Sequence, residues 1–264
     1  MCEKIIKTGL VSVSFREVSP EAIIELCVTN GLQGIEWGGD IHVPAGDVAR
    51  AREVGELTRQ AGLEVMAYGS YYRVGTYGEE AETQFAAVLA STKALRTPRI
   101  RVWAGKTSPE ETDEARYAAI VADTKRICDA AAGDGIEIVF ECHNGTLTQE
   151  YHTTLRYLKD VDRPNAKMYW QPNQFRDEAY NLEALSALMP WVTNLHTFHW
   201  IGKEKFPLRQ GSAIWRRYLD VVRSAQTDDA VPREHGFLLE FMPDGRPESL
   251  PEEAAALRQI LDEA

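Results

Sequence analysis

Short apolar runs of strand length alternate with longer segments of helical period along the whole chain. Lys7–Ser14 reads as a first strand, and Pro20 opens a helix with Ser19 as its N-cap. Gln33–Trp37 is a second strand, Asp47–Ala61 is helical, and Gly62 stands where a left-handed C′ residue belongs. Leu63–Tyr68 and Arg99–Trp103 are strands three and four, followed by helices over Glu79–Leu95 and Asp113–Ala132 respectively. Ile136–Glu141 is the clearest strand, and Thr148 is expected to cap the next helix, to about Lys159. Lys167–Gln171, Val192–His199 and Phe237–Phe241 are strands six to eight, with helices at Asp177–Met189, Ala213–Ala225 and Glu248–Glu263.

Eight strand–helix units in strict alternation imply a parallel sheet. A single (β/α)8 barrel over residues 1–264 is the fold expected, because such barrels need about 250 residues and the chain has 264. The competing open sheet usually carries a GxGxxG turn after its first strand, and none is present here.

Composition narrows the function classes. The net charge of −11 argues against a nucleic-acid partner, which needs basic residues to neutralise phosphates. No apolar stretch approaches the roughly 20 residues that cross a bilayer, so a cytoplasmic protein with no membrane partner is expected. Cys2, Cys27, Cys128 and Cys142 form no CxxC pair and read as free thiols.

Catalytic groups of a barrel project from the C-terminal strand ends, and unusual residues gather there. His42, His143, His196 and His199 lie at predicted strand C-termini, as do Trp37, Trp103, Trp170 and Trp200. Structural histidines and tryptophans have no reason to prefer one end, so this bias points to one polar, aromatic-lined site. Glu141 and Glu240 each close an apolar strand, where a carboxylate must be paired, protonated or metal-bound. With His196 and the Gln171 amide oxygen they can converge on one octahedral Mn²⁺, Mg²⁺ or Co²⁺, with Zn²⁺ also possible. Taken singly, either glutamate can be an ordinary ion pair, and His196 a core histidine.

The GIEW of strand two, FECHNGTLT of strand five, YWQPN of strand six, NLHTFHW of strand seven and LLEF of strand eight together resemble the xylose-isomerase-like, or sugar phosphate isomerase/epimerase, superfamily. The resemblance covers essentially the whole chain. It implies one divalent metal held by Glu141, the position of Gln171, His196 and Glu240. Epimerases of that group often carry Asp-x-x-His on strand six, where this chain has Gln171-x-x-Gln174. The resemblance implies a sugar or polyol-ketone isomerase or epimerase that removes a proton next to a carbonyl, through an enediolate stabilised by the metal. A lyase of the same group, an inosose-type dehydratase or an eliminating deglycosidase, begins with the same step. A non-catalytic sugar-binding barrel or subunit is the reading from another class. A small sugar-derived molecule is the expected partner, and a homo-oligomer is left open.

Glu141 and Glu240 are the expected acid/base pair, with His143 either sharing that role or orienting a ligand. His42, Tyr72, Arg101, His199, Trp37, Trp103 and Trp170 are the candidate substrate contacts. Arg101 can bind an anion bidentately or pair with Glu141 or Glu36 inside the barrel. Lys203 and Arg209, after strand seven, can reach an anionic group or remain solvated loop charges.

Overall fold

The computed structural model describes residues 5–75, 78–225, 228, 231, 232 and 234–262. In chain order the elements are β1 (Ile5–Val11), α1 (Pro20–Thr29), β2 (Gly34–Gly38), α2 (Val48–Gln60), β3 (Glu64–Arg73) and α3 (Glu79–Leu95). Then come β4 (Arg99–Trp103), α4 (Glu114–Ala132), β5 (Glu137–Glu141), α5 (Tyr151–Val161), β6 (Ala166–Trp170) and α6 (Glu178–Leu188). The last are β7 (Val192–Thr197), the short strands β8 (His199–Ile201) and β9 (Glu204–Phe206), α7 (Ser212–Ala225), β10 (Glu234–Leu239) and α8 (Leu250–Asp262). Eight strands close a parallel barrel in the order β1-β10-β7-β6-β5-β4-β3-β2, so the expected (β/α)8 fold is the one formed.

Side-chain alternation along the strands sorts the core into two layers. Val11, Met66, Val139, Tyr169 and Leu238 fill the barrel interior. Their chain neighbours, such as Phe140, Trp170, Phe237 and Leu239, point outward and pack under the helices. Met66 sits where Gly9, Gly34 and Gly236 approach; a Cβ on any of the three would lie within 2.7 Å of its side chain. The interior is therefore filled at this level, beneath the cavity at the C-terminal rim.

Local signals explain most helix ends. Ser19 Oγ accepts from the Ala22 amide, and Gly62 takes φ +80°. Thr148 does not cap a helix: α5 begins at Tyr151, and Thr148 donates its hydroxyl to the Glu141 carbonyl at 2.5 Å. That bond ties the loop to the end of β5 instead. Strand seven ends at Thr197, and His199–Ile201 turns back to pair with Glu204–Phe206 as an antiparallel hairpin on the rim. Cys27, Cys128 and Cys142 are free thiols; Cys2 lies outside the described residues. No helix among the described residues is long and apolar enough to cross a membrane.

Candidate active site

Six polar side chains share the top layer of the barrel: Glu36, Arg101, Glu141, Gln171, His196 and Glu240. Glu141, Gln171 and Glu240 each lie two residues beyond an inward-facing position of the same strand, Val139, Tyr169 and Leu238, so alternation carries them inside. His196 Nδ1 is the focus. It lies 3.0 Å from Gln171 Oε1, 3.4 Å from Glu240 Oε2 and 3.6 Å from Glu141 Oε1. Its Nε2 lies 3.3 Å from Glu36 Oε2. A neutral His196 that donates Nε2–H to Glu36 would turn its Nδ1 lone pair toward the three oxygens, as a cation bound among them requires.

These donors fit a divalent cation. Adjacent ligands of an octahedral ion with bonds of about 2.1 Å stand about 3 Å apart, near the separations around His196 Nδ1. Glu141, His196 and Glu240 offer ligand atoms that all lie within 4.8 Å of one another, and all three are buried. Two carboxylate charges balance a dication, and the imidazole and amide oxygen complete a mixed N/O set. Glu36 then orients the histidine from behind.

The two ligand carboxylates differ in their surroundings. Glu141 Oε2 accepts from Arg101 Nη1 and from Trp103 Nε1, both at 2.7 Å. Burial disfavours its charge, but Arg101 and then His196 outweigh burial and hold it well below the usual carboxylate range. Glu240 receives no such donors. Burial raises its pKa, His196 pulls it back, and the Glu141 and Glu36 charges add to the rise, leaving it at about 7. Burial opposes a charge on His196, yet the Glu240, Glu141 and Glu36 carboxylates hold its pKa well above the ordinary value.

Arg101 is the keystone of this layer. Only 2 % exposed, it donates from Nε to Glu36 Oε1 at 2.7 Å as well as to Glu141. Gly69 makes room for it: a Cβ there would stand 2.7 Å from Glu36 Oε1 and 2.8 Å from Arg101 Nη2. Of its two expected uses, the structure shows the interior pairing.

Above this floor opens a cavity of about 350 Å³. Tyr71, Trp103, Phe198, Trp200 and Phe241 form its aromatic walls; Asn144, Gln149, Gln171, Asn173 and Gln174 supply carboxamides. His143 also lines it, with Nδ1 2.7 Å from the Asn144 carbonyl. Tyr71 and Phe241 hold left-handed backbone, at φ 60° and 53°. Such conformations cost on the order of 1–3 kcal/mol and gather at functional sites.

The structure brings Glu141, Gln171, Glu240, His143, Arg101 and Trp103 to this cavity, with His196 beneath it. It does not bring the other candidates there. Trp37 follows inward-facing Glu36, so it points outward and donates to Thr58 Oγ1 at 3.1 Å. Trp170 precedes inward-facing Gln171 and packs against Trp215 and Tyr218. His42 is 5 % exposed and held by Ser12 Oγ and the Val18 carbonyl. Tyr72 points to the helices, where Arg126 donates to its hydroxyl at 2.9 Å. His199 stacks obliquely on Phe206 in the rim hairpin. Arg209 pairs with Glu252, and Lys203 is an exposed hairpin charge. Sequence reasoning missed Tyr71, Phe198 and Phe241 as cavity walls, and it gave Glu36 only as a partner of Arg101. Strand parity would have found Glu36, but nothing local marks the left-handed turns that aim Tyr71 and Phe241.

The closed barrel thus places a mixed carboxylate–imidazole–amide cluster, a group that could hold a metal ion, under an aromatic mouth. The chain belongs to the xylose isomerase-like TIM barrel family, whose model matches residues 24–260. It is 25 % identical over 206 residues to a 3-dehydroshikimate dehydratase of Bacillus anthracis, covering 72 % of this chain and 70 % of that one. Among solved structures it is similar to the probable 3-DHS dehydratase from Bacillus anthracis (TM-score 0.78, 19 % identity, 96 % of this chain and 98 % of that one). It is also similar to a D-allulose 3-epimerase from Methylomonas sp. (TM-score 0.70, 13 % identity, 98 % and 99 % covered).

Proposed function

We propose that the protein is a divalent-metal-dependent lyase that removes water from a small polyhydroxylated ketone. The observation that carries this reading is the inequality of the two carboxylates. An epimerase must take a proton from one face of a carbon and return one to the other, which calls for two groups able to exchange protons. Glu141 is committed to Arg101 and Trp103 Nε1 at 2.7 Å each and stays ionised. Glu240 accepts no hydrogen bond from those donors and is the better base.

Elimination needs only one such group. Glu240 takes the proton next to the carbonyl, and the C–H electron pair enters the enolate. Collapse of the enolate breaks the β-carbon–oxygen bond. Glu240 returns its proton to the departing hydroxyl, which leaves as water, and the product is the conjugated enone. A bound divalent ion supplies Lewis-acid stabilisation of the charge that develops on the substrate oxygens. His196, oriented by Glu36, holds its place in the donor set. The carboxamides around the mouth donate to and accept from substrate hydroxyls. The similarity to a curated dehydratase supports the same reading.

Isomerisation or epimerisation is the second reading, favoured by His143, which lines the same cavity and offers a second proton-exchanging group. Product mass separates the two. Protein reconstituted with Mn²⁺ and incubated with polyhydroxylated cyclic ketones, 3-dehydroshikimate first, is expected to release a product lighter by one water with new ultraviolet absorbance. A product of unchanged mass would establish the isomerase instead.

A further inference from the structure

Glu240 lies just past the end of β10, which stops at Leu239. The parallel pairing of β1 with β10 ends there too, at Leu10 and Leu239. Two further bonds take over from the ladder. The Glu240 amide donates to the Thr197 carbonyl at 3.1 Å, on the β7 side. One residue on, the Phe241 amide donates to Ser14 Oγ at 2.9 Å, on the β1 side. Glu240 is thus pinned from both neighbouring strands, with its carboxylate 3.4 Å from His196 Nδ1.

The second pin holds a strained turn. Phe241 takes φ 53°, a left-handed conformation that a residue with a Cβ avoids unless its surroundings impose it. Tyr71, also left-handed at the cavity, is held through its side chain, because Arg16 Nη2 donates to its hydroxyl at 2.6 Å. Phe241 has no polar side-chain atom, so a polar hold on its turn must act on the main chain. Ser14 supplies that hold. The run Lys7–Ser14 reads as one strand, but β1 stops at Val11 and Ser12–Phe15 forms a 3-10 turn. The Ser14 hydroxyl then reaches across the seam between the first and last barrel strands, and the residue is only 8 % exposed.

Resting on the reading of Glu240 as metal ligand and base, we infer that Ser14 is a positioning residue. By holding Phe241 left-handed, its hydroxyl sets the direction of the Glu240 carboxylate. Ser14 does not line the cavity, so it acts through the main chain and touches no substrate. Relaxation at Phe241 turns the chain immediately after Glu240, and the length of the Glu240 side chain amplifies that turn at the carboxylate. Metal centres tolerate little of this, since ligand distances hold to within about 0.2 Å.

A double-mutant cycle on Mn²⁺ affinity, read by calorimetric titration, tests the inference. Glycine adopts positive φ about as readily as negative, so Phe241→Gly removes the side-chain strain that drives the turn to relax. Ser14→Ala alone is expected to weaken Mn²⁺ binding about fivefold, the equivalent of one ordinary hydrogen bond. The Tm of the metal-free protein should move by less than about 2 °C, because the lost bond and the released strain offset each other. In the Phe241→Gly background the same substitution should cost less than about twofold in affinity. Affinity unchanged by Ser14→Ala, an equal loss in both backgrounds, or a loss that comes with a large fall in Tm overturns the positioning role. Failure of the unsubstituted protein to bind Mn²⁺ overturns it together with the metal reading. The titration needs no turnover, so a product of unchanged mass would sink the lyase reading and leave an observed cycle standing.

Discussion

Replacing Arg101 with methionine tests the organisation of the site floor. The side chain is 2 % exposed and bridges Glu36 and Glu141 through two hydrogen bonds of 2.7 Å. Methionine keeps much of the volume and removes both donors, leaving two buried carboxylates that must take up protons or remain uncompensated. Breaking a buried ion pair by deleting one partner costs about 3–5 kcal/mol. An unfolding entropy of about 2.1 cal/mol/K per residue, over 264 residues, amounts to about 0.55 kcal/mol/K. The expected fall in Tm of the metal-free protein is therefore about 5–9 °C. Scanning calorimetry at low and high salt provides the assay, because a buried pair should respond little to screening. Adding Glu36→Gln to Arg101→Met neutralises one orphaned carboxylate and should recover part of the loss. A Tm within about 2 °C of the unsubstituted protein would refute the claim that Arg101 holds this layer together.

Further predictions follow from the same contacts. Gly69→Ala places a Cβ 2.7 Å from Glu36 Oε1 and 2.8 Å from Arg101 Nη2; it should destabilise by about 1–3 kcal/mol, as overpacking does, measured by urea unfolding. His235 is buried on β10, and burial depresses its pKa from 6.5 to about 4. The unfolded chain therefore gains a proton first as pH falls, and stability declines from about pH 6.5 down to about pH 4. The His235 contribution between pH 7.5 and 5 should be about 2 kcal/mol, and a His235→Gln variant should show a flatter urea-unfolding profile over that range. Gln171→Glu adds a charge to the proposed ligand set and should tighten Mn²⁺ binding by about tenfold, read by calorimetric titration; unchanged affinity would remove residue 171 from the set.

Periodicity made the barrel legible because each strand–helix unit carries its own local signals. Glu141, His196 and Glu240 were legible for a related reason: charge at the end of an apolar strand conflicts with burial unless it has a partner. Trp37 and Trp170 were misplaced as substrate contacts because position along the strand was considered without side-chain parity. Each is the outward neighbour of an inward polar residue, Glu36 and Gln171. Tyr71 and Tyr72 could not be separated in advance, because the β3–β4 register shifts between Gly69 and Arg73 and Tyr71 takes a left-handed conformation. The hairpin of His199–Phe206 is built from strands of three residues each, too short for a periodic signal, and it carries Trp200.

The central claim is that Glu141, Gln171, His196 and Glu240 close on one divalent ion that the reaction requires. Metal analysis of protein reconstituted with Mn²⁺ and freed of excess, run beside a His196→Ala variant, addresses it most directly. One equivalent per chain, falling below a tenth in the variant together with turnover, is the predicted result. Less than about half an equivalent in the unsubstituted protein, or full loading without His196, would contradict it.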